Sequence, residues 1–190
     1  MAQAQAIIFD YFGVIHVDPM IIAYRQLGGD VDADSAFIKR VLDASIVGAI
    51  SATPLLAEKL GVSPETWATT LQQASALDEA LLAYIKTLRP HYKIGLLSNI
   101  GKGGLARWFE PGMLAQYFDV AVTSGDIGYA KPDAQAFHIV ADRLGVRAEN
   151  CVMVDDRPEY CAGARAAGLQ AIEYRVLEQL RRELQQLDDA

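Results

Sequence analysis

The amino-acid sequence predicts an α/β protein with a doubly wound parallel sheet as its core and a small all-helical cap. Three observations support this fold class. Short apolar runs alternate with amphipathic helical periods along most of the chain. These runs are apolar throughout, which is typical of strands covered on both faces. One long segment, between residues 15 and 77, breaks the alternation because it contains helical periods alone.

Five apolar runs, each bounded by polar or turn-forming residues, are predicted strands. They are Ala6–Tyr11, Lys93–Asn99, Val120–Ser124, Cys151–Asp156 and, as the weakest of the five, Gln170–Tyr174. Runs of this length and composition are typical of strands buried within a sheet.

Helical periods accompany the last four strands. They cover Glu79–Leu88, Asp133–Leu144, Tyr160–Ala167 and Leu177–Leu187. Strands that alternate with helices form βαβ units, so the predicted sheet is parallel and Rossmann-like.

The segment that breaks the alternation contains four further predicted helices. They cover Met20–Leu27, Asp34–Ala44, Ala52–Leu60 and Pro64–Gln73. We therefore expect a Rossmann-like core of residues 1–14 and 78–190 and a helical cap of residues 15–77. Ligands of open parallel sheets bind at the carboxyl ends of the strands, where this insert leaves the chain, so we expect the cap to act as a lid.

Composition and charge limit the kinds of binding partner and the cellular compartment that we expect. The chain has 190 residues, 52% of them hydrophobic, and a formal net charge of -7. An acidic surface repels nucleic acids and anionic membranes, so we expect neither as a partner. A small molecule suits a small helical lid better than a protein or nucleic acid does, and the sequence does not define the oligomeric state. No signal peptide is recognisable, and no apolar run approaches the roughly 20 residues of a membrane helix. Two cysteines are too few for a disulfide framework, so we expect a cytoplasmic protein.

Polar side chains follow three of the predicted strands, and a lysine stands in the loop before a helix. These residues are Asp10, Ser98 with Asn99, the pair Asp155 and Asp156, and Lys131. Carboxylates gathered without Cys or His favour a hard cation such as Mg²⁺. An Asp carboxylate can also attack phosphorus or an activated carbon and form a covalent intermediate. A hydroxyl and an ammonium group would then offset the charge of a bound phosphate.

Each of these residues alone also has a structural explanation. An Asp at a strand end often caps the following helix, and a loop lysine is often simply solvated. Their order along the chain and their shared position at strand ends favour a functional site.

The residues that carry these groups resemble the four motifs of the haloacid dehalogenase-like hydrolase superfamily. The similar segments are Phe9–Val14, Leu97–Asn99, Gly128–Asp133 after Ser124–Gly125, and Val154–Pro158 followed by Ala162–Gly168. The resemblance spans Ala6 to about Tyr174, and the helical insert stands where that superfamily has its cap.

The resemblance implies a role for each site residue. Asp10 would be the nucleophile and a metal ligand, with the backbone carbonyl of Phe12 as a second ligand. Asp156 would bind Mg²⁺, and Asp155 would bind it directly or through water. The transferring phosphoryl group would be bound by Ser98, Lys131 and the backbone at Asn99.

The sequence departs from the superfamily at Phe12, where most of its phosphatases have a second aspartate as general acid and base. An aromatic residue there is similar to the haloacid dehalogenases, but these lack the acid pair formed here by Asp155 and Asp156. We therefore favour a Mg²⁺-dependent phosphatase acting on a small phosphorylated metabolite through an aspartyl-phosphate on Asp10. The alternatives are a 2-haloacid dehalogenase-type hydrolase and a catalytically degenerate scaffold that serves as a binding module.

Overall fold

The computed structural model describes residues 3–16, 19–46, 52–74, 76–107, 109 and 112–188. The chain divides into two compact units, one of residues 1–15 with 78–190 and one of residues 16–77. The first unit contains a sheet with helices, and the second is helical.

All five predicted strands are confirmed, and each ends one or two residues before its predicted end. They are β1 (Ala6–Phe9), β2 (Lys93–Ser98), β3 (Val120–Thr123), β4 (Cys151–Asp155) and β5 (Gln170–Glu173). They form one sheet in the order β3-β2-β1-β4-β5, and all four pairings are parallel. Phe9, at the end of the central strand, stands opposite Leu96 of β2 and Val154 of β4. The carboxyl ends of β1, β2 and β4 therefore meet at one edge.

The helices of the described chain follow the predicted order with two additions. They are α1 (Pro19–Gln26), α2 (Ser35–Ile46), α3 (Ala52–Leu60), α4 (Pro64–Gln73), α5 (Glu79–Leu88), α6 (Leu114–Tyr117), α7 (Ser124–Ile127), α8 (Ala134–Leu144), α9 (Pro158–Ala166) and α10 (Leu177–Asp188). The short helices α6 and α7 were not predicted, because four residues are too few to show a helical period. Among the described residues, the helices are all too short or too polar to cross a membrane.

The sheet is buried on both faces, as the apolar strands predict. Ile8, Leu97 and Met153 pack in one cluster with apolar residues of α8 and α9. Their strand neighbours Ile7 and Val152 point to the opposite face and are also fully buried. A parallel sheet covered in this way has no solvated face, so a reactive site must lie at the ends of its strands.

Gly95, in β2, allows α8 to approach the sheet closely. A Cβ atom at this position would lie 3.0 Å from Leu144 Cδ1 and 3.4 Å from Val140 Cγ2, both on α8. The distance to Leu144 is shorter than ordinary van der Waals contact, so this part of the helix rests directly on the strand backbone.

The helical unit has its own apolar core. Tyr24 of α1 and Trp67 of α4 are almost fully buried in it, with ring centroids 6.4 Å apart. The Tyr24 hydroxyl donates a hydrogen bond to Asp34, whose carboxylate also pairs with Lys59 at 2.9 Å. Ser63 caps α4 by accepting a hydrogen bond from the Thr66 N–H.

The residue at which the chain leaves the sheet unit lies next to the residue at which it returns. The Asp78 N–H donates a 2.8 Å hydrogen bond to the Ile15 carbonyl, both at the boundary of the sheet unit. The next residues on either side, His16 and Leu77, form an antiparallel bridge within the helical unit. Asp78 then caps α5 by accepting a hydrogen bond from the Leu81 N–H.

We expect Gly95→Val to lower the free energy of unfolding by about 1–3 kcal/mol, because it overpacks the contact between β2 and α8. Urea denaturation measures the effect. Gly101→Val is the matched control, since a Cβ at Gly101 meets nothing within 4 Å. Equal midpoints for both variants would show that α8 does not rest on this strand.

Candidate active site at the carboxyl edge of the sheet

Asp10 is the first residue after the central strand. Its backbone N–H donates to the Val154 carbonyl at 2.9 Å, so β1 and β4 remain paired up to this point. By the same register, Asp10 lies beside Asp155, the last residue of β4. Asp10 is 6% exposed and Asp155 is fully buried. Pairing of two parallel strands thus places two carboxylates side by side in a poorly solvated edge.

The Lys131 ammonium group forms an ion pair with each of these two carboxylates. Its Nζ lies 2.8 Å from Asp10 Oδ1 and also contacts Asp155 Oδ2, and its side chain is 0% exposed. Burial opposes the charge on the ammonium group, but the Asp10 and Asp155 carboxylates outweigh it and raise the pKa of Lys131. The sequence-predicted lysine is therefore a charged group held between the candidate nucleophile and the acid pair.

The acid pair differs in environment between its two members. Asp155 uses Oδ2 for Lys131 and accepts the Arg157 N–H on Oδ1 at 3.0 Å. Asp156 is exposed, and oxygens of Asp10, Asp155 and Asp156 lie within 4.8 Å of one another. Burial raises the pKa of Asp155 against the opposing charge of Lys131, and the Asp10 charge raises it further. Although Asp156 is partly exposed, incomplete solvation of its carboxylate and the Asp10 charge raise its pKa to about 6. Three carboxylates crowded in this way form a site that favours a cation.

Gly13 makes room for the Asp156 carboxylate. Its φ is +83°, in the left-handed region, and a Cβ atom there would overlap the Asp156 side chain. A side chain at this position would therefore be strained and would displace Asp156. Gly13 belongs to the first motif, Phe9–Val14, but the spacing of the motifs along the sequence does not predict its contact with Asp156.

The Asn99 side chain holds the backbone of Lys131. Asn99 Oδ1 accepts the Lys131 N–H at 2.8 Å, and Asn99 Nδ2 donates to the Lys131 carbonyl at 2.9 Å. The sequence assigned phosphate binding to this residue through its backbone, whereas the structure adds a structural role for its side chain. Ser98, 2% exposed, ends β2 opposite Thr123 of β3, at the same edge of the sheet.

The loop after Asn99 packs against the start of α7. Both the Gly125 N–H and the Ser124 hydroxyl donate to the Ile100 carbonyl, at 2.9 and 3.2 Å. A Cβ at Gly125 would overlap the backbone of the loop at Gly101 and Lys102. The pair Ser124–Gly125 thus fixes the loop that follows β2.

Phe12 and three residues that follow it in the chain, His16, Arg25 and Arg40, occupy different places. The Phe12 ring is half-buried and meets the Tyr11 ring edge-on, with centroids 4.8 Å apart. His16 is 2% exposed and belongs to the helical unit, as do Arg25 and Arg40, which are exposed. The structure brings together Asp10, Lys131, Asp155 and Asp156 by direct contact or proximity.

Sequence reasoning missed Tyr160 and Arg157. Tyr160, in α9, has its ring under the Lys131 ammonium, with Nζ 4.9 Å from the ring centroid. Arg157 Nη1 donates to the Tyr160 hydroxyl at 3.1 Å. Both residues follow the acid pair in sequence, but nothing in the helical period of α9 indicates which of its residues faces the site.

A sequence profile of haloacid dehalogenase-like hydrolases matches residues 4–168. The chain is 34% identical over 99 residues to a phosphatase of Mycobacterium tuberculosis, which is 52% of this chain and 46% of that protein. It is 33% identical over 106 residues to N-acylneuraminate-9-phosphatase of Rattus norvegicus, 55% of this chain and 43% of that enzyme. The matched region thus spans less than half the length of either relative.

The fold is shared with a solved HAD family enzyme of Bacteroides thetaiotaomicron in complex with magnesium and inorganic phosphate. The TM-score is 0.66 at 18% identity, over 93% of this chain and 98% of that chain. Together with the profile match over most of the chain, the parallel sheet and the Asp10–Lys131–Asp155 contacts agree with one assignment. The chain belongs to the haloacid dehalogenase-like hydrolases.

Proposed function

We propose that this hydrolase is a Mg²⁺-dependent phosphatase that acts on a small phosphorylated metabolite through an aspartyl-phosphate on Asp10. The observation that carries the proposal is the buried ammonium group of Lys131 between Asp10 and Asp155, with Asp156 beside them. This arrangement supplies a nucleophile, a cation to offset phosphate charge and a set of hard oxygen ligands at one edge. The two curated relatives, both named phosphatases, support the same reaction.

Asp10 is suited to nucleophilic attack because its position is fixed from both sides. Its backbone is held by β4 and its Oδ1 by Lys131 at 2.8 Å. In the first step a carboxylate oxygen bonds to phosphorus, and the ester oxygen departs with the bonding electron pair. In the second step a water oxygen bonds to the same phosphorus and the bond between phosphorus and the Asp10 oxygen breaks, which releases inorganic phosphate and restores the carboxylate. The proton that water loses balances the one taken up by the departed alkoxide. Lys131 and the Ser98 hydroxyl would hold the phosphoryl oxygens during both steps.

The donor set fits magnesium. Three carboxylates crowd this edge and the Lys131 ammonium contacts only two of them, so a divalent cation would reduce their mutual repulsion. Carboxylate and carbonyl oxygens are the ligands that Mg²⁺ prefers. Asp10, Asp156 and the Phe12 carbonyl would hold the ion, with Asp155 contributing directly or through water. The bound ion would neutralise charge on the phosphoryl group.

Substrate selection is assigned to the helical unit of residues 16–77. This unit is inserted directly after the segment that carries the proposed nucleophile, and it therefore resembles the cap of this family. The net charge of -7 favours a small metabolite over a nucleic acid.

Dehalogenation of a 2-haloacid is the second candidate, and Phe12 is the observation that favours it. The exposed Asp156 beside Asp10 favours the phosphatase instead, because a halide leaving group needs no bound cation. Release of chloride from 2-chloropropionate, compared with release of phosphate from phosphate esters, separates the two reactions.

Three predictions test this proposal, and the first concerns Asp10. Asp10→Asn is expected to lower phosphate release from a panel of phosphate esters in Mg²⁺ by about 10³-fold or more, because the amide is a poor nucleophile. Rapid quench of the wild type followed by mass spectrometry should find one added phosphoryl group on Asp10. Asp142→Asn, an exposed carboxylate on α8, is the control and should retain activity. A phosphoryl group on another residue would refute the proposal.

The second prediction concerns the metal. Calorimetry should show that Mg²⁺ binds the wild type, and Asp156→Ala should weaken binding at least about tenfold by removing a carboxylate ligand. Gly13→Ala should weaken it as well, because the added Cβ displaces Asp156. Asp142→Ala should bind as the wild type does. Unchanged Mg²⁺ affinity in both site variants would place the ion elsewhere.

The third prediction concerns Phe12, which cannot transfer a proton. A general acid contributes typically about 10²–10⁴-fold to rate, so poor alkoxide leaving groups should react slowly. Wild-type kcat should therefore fall steeply as the pKa of the leaving group rises across aryl, sugar-1- and alkyl phosphates. Phe12→Asp should flatten this dependence by raising turnover of alkyl phosphates. A flat dependence in the wild type would mean that another residue supplies the proton.

A further inference from the structure

Tyr160 contacts Lys131 directly through its ring. The residue is 8% exposed, and the Lys131 Nζ lies 4.9 Å from the ring centroid. An ammonium group at this distance over an aromatic face is attracted by the ring quadrupole. The ring is therefore a third stabilising group for the ammonium, beside the carboxylates of Asp10 and Asp155.

Tyr160 also contacts Lys131 indirectly through its hydroxyl. The hydroxyl accepts a hydrogen bond from Asn99 Nδ2 at 3.2 Å. That same amide nitrogen donates to the Lys131 carbonyl, while Asn99 Oδ1 accepts the Lys131 N–H. The hydroxyl thus orients the amide that holds the backbone of Lys131.

The Tyr160 hydroxyl also connects this assembly to the acid pair. It accepts a second hydrogen bond, from Arg157 Nη1 at 3.1 Å. The backbone N–H of Arg157 donates to Asp155 Oδ1, and Asp155 Oδ2 contacts the Lys131 ammonium. One phenol group therefore connects the loops that follow β2 and β4 to the loop that carries Lys131.

A neutral aromatic group suits this position for an electrostatic reason. Two carboxylates already contact the Lys131 ammonium, and a third, that of Asp156, lies beside them. A fourth carboxylate would restrain Lys131 too, but it would add negative charge where a phosphate must bind. A tyrosine restrains the lysine without that repulsion.

We propose that Tyr160 is a positioning residue for Lys131, acting on the ammonium through its ring and on the backbone through its hydroxyl and Asn99. The inference rests on the proposed function, in which Lys131 binds the phosphoryl group. It adds a specific requirement, namely that affinity for phosphate depends on a residue outside the four sequence motifs.

The test measures binding of inorganic phosphate by calorimetry in Mg²⁺, together with kcat and KM for an aryl phosphate. Tyr160→Leu removes ring and hydroxyl, and should weaken phosphate binding and lower kcat/KM by about tenfold. Tyr160→Phe keeps the ring and should cause a smaller loss in both quantities, about 2- to 5-fold, because only the hydroxyl contacts are removed.

Tyr117 provides matched controls. It is 7% exposed and lies outside the site, and Lys86 Nζ lies 4.7 Å from its ring centroid. Tyr117→Leu and Tyr117→Phe therefore remove the same groups from a comparable environment. They should leave the phosphate Kd and the kinetic constants unchanged, even if Tyr117→Leu lowers Tm.

A double-mutant cycle tests whether Tyr160 acts through Lys131. In a Lys131→Met background, Tyr160→Leu should cause no further loss of phosphate affinity. Equal additional losses in both backgrounds would overturn the proposal. Should Lys131→Met not fold, the contrast between Tyr160→Phe and Tyr160→Leu carries the test.

The outcomes separate this proposal from the proposed function. A Tyr160→Leu variant with lower Tm but wild-type phosphate affinity and kinetics would make Tyr160 a packing residue and overturn the proposal. If phosphate binding follows the expected series while no phosphate ester is hydrolysed, the positioning role stands and the phosphatase proposal fails. A wild type that does not bind phosphate overturns both.

Discussion

The ion pairing of Lys131 is the constraint on which the catalytic edge depends. A fully buried ammonium group is costly unless it is paired, and here Asp10 and Asp155 supply the compensating charges. Removing one partner from such a group typically destabilises a protein by about 3–5 kcal/mol, since an uncompensated charge remains. The residues to which we assign the chemistry therefore also stabilise the edge. Stability and function constrain the same three side chains, and neither can be altered alone.

The sheet explains why these side chains meet. Asp10 and Asp155 are neighbours because β1 and β4 pair in parallel with Phe9 opposite Val154. Lys131 comes from a different part of the chain and is placed by Asn99, which follows β2. The remaining negative charge is concentrated on the Asp156 side, where solvent reaches the carboxylate. A cation and a phosphate approaching from solvent would thus meet opposite charges at adjacent positions.

The sequence predicted the strands and the site-bearing strand ends because apolar runs and terminal carboxylates are local signals. It could not predict α7, whose four residues Ser124–Ile127 contain one apolar side chain. Nor could it predict the contacts of Tyr160 and of the Asn99 side chain, which depend on how three loops pack together. The strands can be predicted from the pattern of apolar residues, whereas contacts between loops can be predicted only when the three-dimensional arrangement is known. The least predictable part of the site is therefore its support rather than its reactive groups.

The hydrogen bond between Ile15 and Asp78 has a consequence for how this chain can diversify. The sheet unit closes on itself at the point where the helical segment departs, because the Asp78 N–H and the Ile15 carbonyl are in direct contact at 2.8 Å. Two ends this close can be joined by a short turn or by an insert of almost any length, since loop closure cost grows slowly with length. The reactive edge can therefore stay constant while the inserted segment is shortened, lengthened or exchanged. New substrate preferences could arise at this junction without a single change in the strands.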